Sequence, residues 1–121
     1  MNIKYVTNNP MIIDKGYPNT VILSGATLQV LVAVKEEVLK GCKLITHPLT
    51  SSIRPDMSPY KTVILQDGGA DVDHESLKMI NSAIEYTEGL VNNQMRPYIW
   101  DEESLKDFQY IDYDIIQNLM P

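Results

Sequence analysis

Arg54 is the side chain best equipped to hold an anion, because a guanidinium presents five donors in a planar fork that matches a carboxylate or a phosphate. The segment around it adds His47, Ser51, Ser52 and Lys61 as supporting donors, and Pro48, Pro55 and Pro59 keep that segment out of regular structure. Asn8 and Asn9 stand just before Pro10 at a predicted strand end and complete the ligand-binding candidates. The same residues also support a purely structural reading. Arg54 then pairs with Asp56 or Glu75, Ser51 and Ser52 bond turn amides, His47 closes a strand end, and Lys61 begins a strand in solvent. An ordinary histidine exchanges its proton near neutrality, which permits His47 an acid–base role with Arg54 as clamp. No serine elbow, P-loop or dinucleotide fingerprint accompanies the pair, so no catalytic residue is assigned. Ser24-Gly25 lacks the further glycines of a phosphate cradle and reads as a turn.

Metal chemistry has little to build on. Asp67, Asp71 and Asp73 gather near a strand-to-helix junction, where turn formation and helix capping account for them. One cysteine and two histidines are too few for a structural zinc site, and Cys42 reads as a small buried residue. Neither a metal nor a cofactor is expected.

Composition narrows the partners. The chain has 121 residues, with 10 Lys plus Arg against 16 Asp plus Glu, a formal charge of -6 and no basic cluster, which argues against nucleic-acid binding. No apolar run approaches a membrane span, and a single cysteine with a start, MNIKYVTNN, that has no basic and apolar signal pattern predicts a cytoplasmic protein. The length suits one domain, 1–121.

The positioning elements follow from hydrophobic period. Ile3, Tyr5 and Val6 predict a first strand, Thr20–Leu23 a second strand buried on both faces, Lys43–Thr46 a third and Thr62–Leu65 a fourth. Between the first two, a connecting segment contains Gly16 and Pro18. Leu28, Leu31, Val32, Val38 and Leu39 recur at helical spacing before Gly41. Asp73 predicts the cap of a helix carrying Leu77, Ile80, Ile84 and Val91, and Asp101 the cap of a last helix with the stripe Leu105, Phe108, Ile111, Ile115 and Leu119. The pattern predicts a small single-domain α/β fold: a mostly parallel or mixed four-stranded sheet covered by about three helices, with strand order open. The loop of about 13 residues before Lys61 exceeds the common connection length, which points to function.

Asn8-Asn9-Pro10, Thr46-His47-Pro48-Leu49, and the run Leu49-Thr50-Ser51-Ser52-Ile53-Arg54-Pro55 followed by Ser58-Pro59-Tyr60-Lys61 resemble the small GrdX family encoded with clostridial glycine reductase. The resemblance spans most of the chain. It implies an accessory protein of anaerobic, selenoprotein-dependent reduction of glycine or related amines, distinct from the selenoprotein subunit, so the reductase's thiol chemistry does not transfer to Cys42. The expected role is non-enzymatic assembly, regulation or binding of a glycine or betaine reductase subunit. The alternative is a small-anion binding protein, or an enzyme, using the His47–Lys61 loop. Tyr98, Trp100, Tyr110 and Tyr113 are the partner-surface candidates, since aromatic rings give apolar area with a polar edge. A homodimer would serve to cover apolar helix surface.

Overall fold

Alternating apolar residues in two five-residue strands place one side chain on each face in turn, and both faces are covered. The computed structural model describes residues 2–50 and 54–121. In chain order its elements are β1 (Ile3–Thr7), α1 (Pro10–Lys15), β2 (Thr20–Ile22), α2 (Thr27–Leu39), β3 (Lys43–Leu44), β4 (Thr62–Gln66), α3 (His74–Asn92) and α4 (Glu102–Leu119). The sheet order is β2-β1-β4-β3. β1 runs parallel to β2 and antiparallel to β4, and β3 is antiparallel to β4, so the sheet is mixed.

Val6, Val63 and Leu65 point to the face packed by α2 and α3, where Val30, Leu31, Val34, Val38 and Ile80 complete the larger core. Tyr5 and Ile64 point to the other face, where Ile12 of α1 and Ile116 of α4 cover them. Each aliphatic side chain removed from water in this way contributes roughly 1.5–3 kcal/mol. Asp73 and Asp101 cap α3 and α4 as their spacing predicts, accepting from the amides of Ser76 and Ser104.

Several sequence expectations are corrected. β2 is a three-residue edge strand with Ile22 exposed, not a strand buried on both faces. The third strand stops at Leu44, because the Ile45 and Thr46 amides both turn to the Ile64 carbonyl. α1 lies within the segment read as a connection. It is a single short helix that starts on Pro10, whose missing amide suits a first helical position, with the Asn9 side chain as cap and Gly16 in the left-handed region as stop. On α2 the buried stripe is Val30, Leu31, Val34 and Val38, leaving Val32 and Leu39 exposed. On α3 Val91 is exposed. On α4 the buried line is Asp112 and Ile116, while Ile111 and Leu119 face water.

A close backbone approach joins Gly41, at the end of α2, to Gly69, after β4. A Cβ added to either glycine would collide with the other's carbonyl, and Gly41 has a φ of +112°. Gly41→Ala is therefore expected to lower stability by ~2–4 kcal/mol, read as a lower urea midpoint. An unchanged midpoint would show that the two segments can separate at no cost.

Candidate functional site

The described end of the connection, residues 58–61, is tied to the segment after β1 and to the start of α2 through Asn8 and Thr27, next to the polar residues at the adjoining ends of β1 and β4. Thr7 and Thr62 are register partners on the strands, which brings their hydroxyl oxygens to 2.7 Å. The Asp112 carboxylate, from the inner face of α4, accepts from the Thr62 hydroxyl at 2.7 Å, the Thr62 amide at 3.2 Å and Asn9 Nδ2 at 2.9 Å. Because the Thr62 proton goes to the carboxylate, the Thr7 hydroxyl donates to Thr62 Oγ1 and accepts from the Asn9 amide at 3.0 Å. All of these groups are buried, so each bond replaces one that water would otherwise make.

Asn8 and Asn9 work as structural ties. Asn8 Oδ1 accepts from the Lys61 amide at 2.8 Å, and its Nδ2 donates to the carbonyls of Gly25 and Pro59. One side chain thus holds the end of β1, the turn before α2 and the end of the long connection. Asn9 Oδ1 accepts from the Met11 amide at 3.0 Å, while its Nδ2 reaches the Gln109 carbonyl and Asp112. Of the two readings of Lys61, a solvated strand start is excluded: its side chain is fully buried. Its Nζ donates to the Thr50 carbonyl. Burial pushes the ammonium down to about 8, and the Asp112 carboxylate opposes that shift.

Arg54 takes the structural pairing rather than an open clamp in this structure. Its Nε and one terminal nitrogen donate to the two Asp56 carboxylate oxygens, each at 3.0 Å, in a bidentate fork. Gln94 Nε2 also donates to Asp56, whose side chain is enclosed. Arg54 holds the Asp56 carboxyl below its usual range, with Gln94 assisting, and Asp56 in turn raises Arg54. The half-exposed Arg54 side chain also lines a cleft of about 640 Å³ with Arg96, Tyr98 and Ile99. His47 is exposed, and its Nδ1 accepts from the Leu49 amide at 3.1 Å, which assigns the proton to Nε2. It lines a separate, mainly apolar cavity with Leu49, Met79 and Tyr86. These two cavities share no lining residue. Ser51 and Ser52 lie outside the described residues.

The aromatic candidates divide. Tyr98 and Tyr110 are exposed. Trp100 stacks on Tyr98, meets Phe108 edge-on and donates its indole N–H to the Met57 carbonyl at 3.0 Å, pinning the connection. Tyr113 is half-buried under the Lys15 ammonium, 5.1 Å from the ring centre. Cys42 is buried, and its thiol donates to Asp67; burial first and Asp67 second push it up to about 11. Among the described residues no three His, Cys, Asp or Glu side chains are placed to hold a metal ion, and no helix is long and apolar enough to cross a membrane.

Thr7, Thr62 and Asp112 are the site residues that sequence reading missed. A signal existed: Phe108, Asp112 and Ile116 fall four residues apart, so the aspartate shares the inward line of α4 with apolar residues.

The depressed Lys61 value has a definite sign. The unfolded chain holds the Lys61 proton up to about 10.5 and the folded chain releases it near 8, so stability rises with pH between these values. Below about 8 both states are protonated and the burial penalty is at its full value. Relative to Lys61→Met, the native protein should gain ~2–3 kcal/mol between pH 8 and 10.5, measured by urea unfolding. Parallel pH profiles for the two proteins would place the amine in water.

No curated protein and no solved structure matches the chain. A family model described as GrdX-like protein matches residues 4–121, which includes the strand-end asparagines, the whole connection and Asp112. The chain belongs to the GrdX-like protein family.

Proposed function

We propose that this chain is a cytoplasmic accessory protein of glycine or betaine reductase metabolism that acts by binding a reductase subunit and carries out no reaction of its own. Family membership supports the metabolic setting. The observation that carries the binding role is the state of the polar side chains in the candidate site. Asn8, Asn9, Thr62, Asp112 and Lys61 are buried and bonded within the chain, and Arg54 is engaged on Asp56. A reaction centre needs an acid, base or nucleophile that can reach substrate, together with a second group to orient it. His47 is exposed and faces an apolar cavity whose lining, among the described residues, holds no carboxylate. Large apolar side chains, by contrast, stand in water along α3, including Met79 and Tyr86, which is surface suited to a protein partner.

The test is affinity capture of the tagged protein from glycine-grown anaerobic cells at low and high salt. Reproducible enrichment of a glycine or betaine reductase subunit at both salt levels is the expected result, and Arg54→Ala should retain it. Absence of any reductase subunit, with the protein folded, would overturn the proposal. Glycine or phosphate binding that Arg54→Ala abolishes would replace it with the small-anion reading.

A further inference from the structure

The segment joining α3 to α4 exposes unusually apolar side chains. Met95 is fully exposed, at 102% of its reference area, and Ile99 is 93% exposed, with Tyr98 between them. These residues border the 640 Å³ cleft, whose lining includes Arg54 and Arg96 and no carboxylate. Arg54 is neutralised by Asp56, whereas Arg96 enters no ion pair among the described residues. The cleft is therefore apolar and cationic on a chain of net charge -6.

The outer stripe of α4 has the opposite character. Glu103, Asp107, Tyr110 and Asp114 follow one another at four-, three- and four-residue steps, and with Ile111, next to Tyr110, they share a solvent-facing side of the helix. Tyr110 and Ile111 are 57% and 49% exposed at its centre. Three carboxylates against Lys106 leave the stripe at 1 minus 3, or -2, and none of the three enters an ion pair among the described residues. The two surfaces are neighbours in the chain, because the segment that forms the cleft leads directly into α4.

We propose that the occupant of the cleft is a second copy of this chain, whose α4 stripe lies in it while its own cleft receives the first copy's stripe. Adjacent complementary patches are what a two-fold interface repeats, since each then contacts its opposite in the partner. Tyr110 and Ile111 supply the apolar anchor against Ile99 and Met95, and the carboxylates at their sides meet Arg96. The charge contact is rim-like and screened by salt, while the apolar contact persists.

Sedimentation of the full chain over a wide concentration range provides the test. The native protein is expected to form a dimer that weakens as salt is raised. Ile99→Ser, Arg96→Glu and Asp107→Lys should each raise the dissociation constant by about tenfold or more. All three positions are exposed, so circular dichroism should show the fold retained. Mixing the Arg96→Glu protein with the Asp107→Lys protein should restore association, because one contact of the two-fold pair is then native and the other is charge-reversed on both sides. A monomer at every concentration overturns the proposal and leaves the cleft to another partner. A dimer unchanged by all three substitutions overturns it as well, by placing the interface elsewhere.

Discussion

The Asp112 carboxylate is the tie on which the rest of the arrangement depends. It reaches from the last helix to the first residue of β4 and to Asn9 at the end of β1, so three segments far apart in sequence meet on one group. A buried carboxylate without partners would destabilise the fold by several kcal/mol, and one with three donors orders everything that supplies them. The Thr7–Thr62 contact is a consequence: strand register brings the hydroxyls together, and the carboxylate sets the direction in which their protons point. Asn9 then caps α1 with its remaining oxygen, which aligns that helix beside α4.

The long connection inherits its shape from the same region and from α3 and α4. Asn8 holds its last turn, Gln94 and Trp100 hold its middle through Asp56 and Met57, and Gln109 reaches Tyr60. Arg54 is thereby set at the surface with its fork closed on Asp56, and Lys61 is drawn inside with its amine on the Thr50 carbonyl. Two residues that look alike as cations in the sequence end in opposite settings. The guanidinium keeps its charge in solvent beside a carboxylate, while burial makes the ammonium easier to neutralise.

Much of the fold was legible because its signals are local. Asp73 and Asp101 announce helix starts through the short reach of an aspartate oxygen to the third amide, and Thr62–Leu65 announces a strand through its unbroken β-branched and aliphatic side chains. The pairing of Arg54 with Asp56 was likewise accessible as one of two alternatives, since the residues lie two apart around a proline. α1 was less visible: one and a half turns have too little apolar period to register, and Pro10 looks like a stop although it is also a good first helical residue. The inward line of α4 was misplaced because Ile111 and Leu119 advertise burial by type, whereas the helix rotates to bring Asp112 to its donors.

Residue order thus settled the number of strands, two of the main helix caps, the acidic charge and the unusual connection, since each depends on neighbours within a few positions. Folding in three dimensions settled strand order, the burial of Lys61 and the assembly of Thr7, Asn9, Thr62 and Asp112. These depend on contacts across about 50 to 103 residues of chain, where a side chain's character does not specify its partner. Packing makes that choice, because this arrangement covers both faces of the sheet while giving those buried donors acceptors.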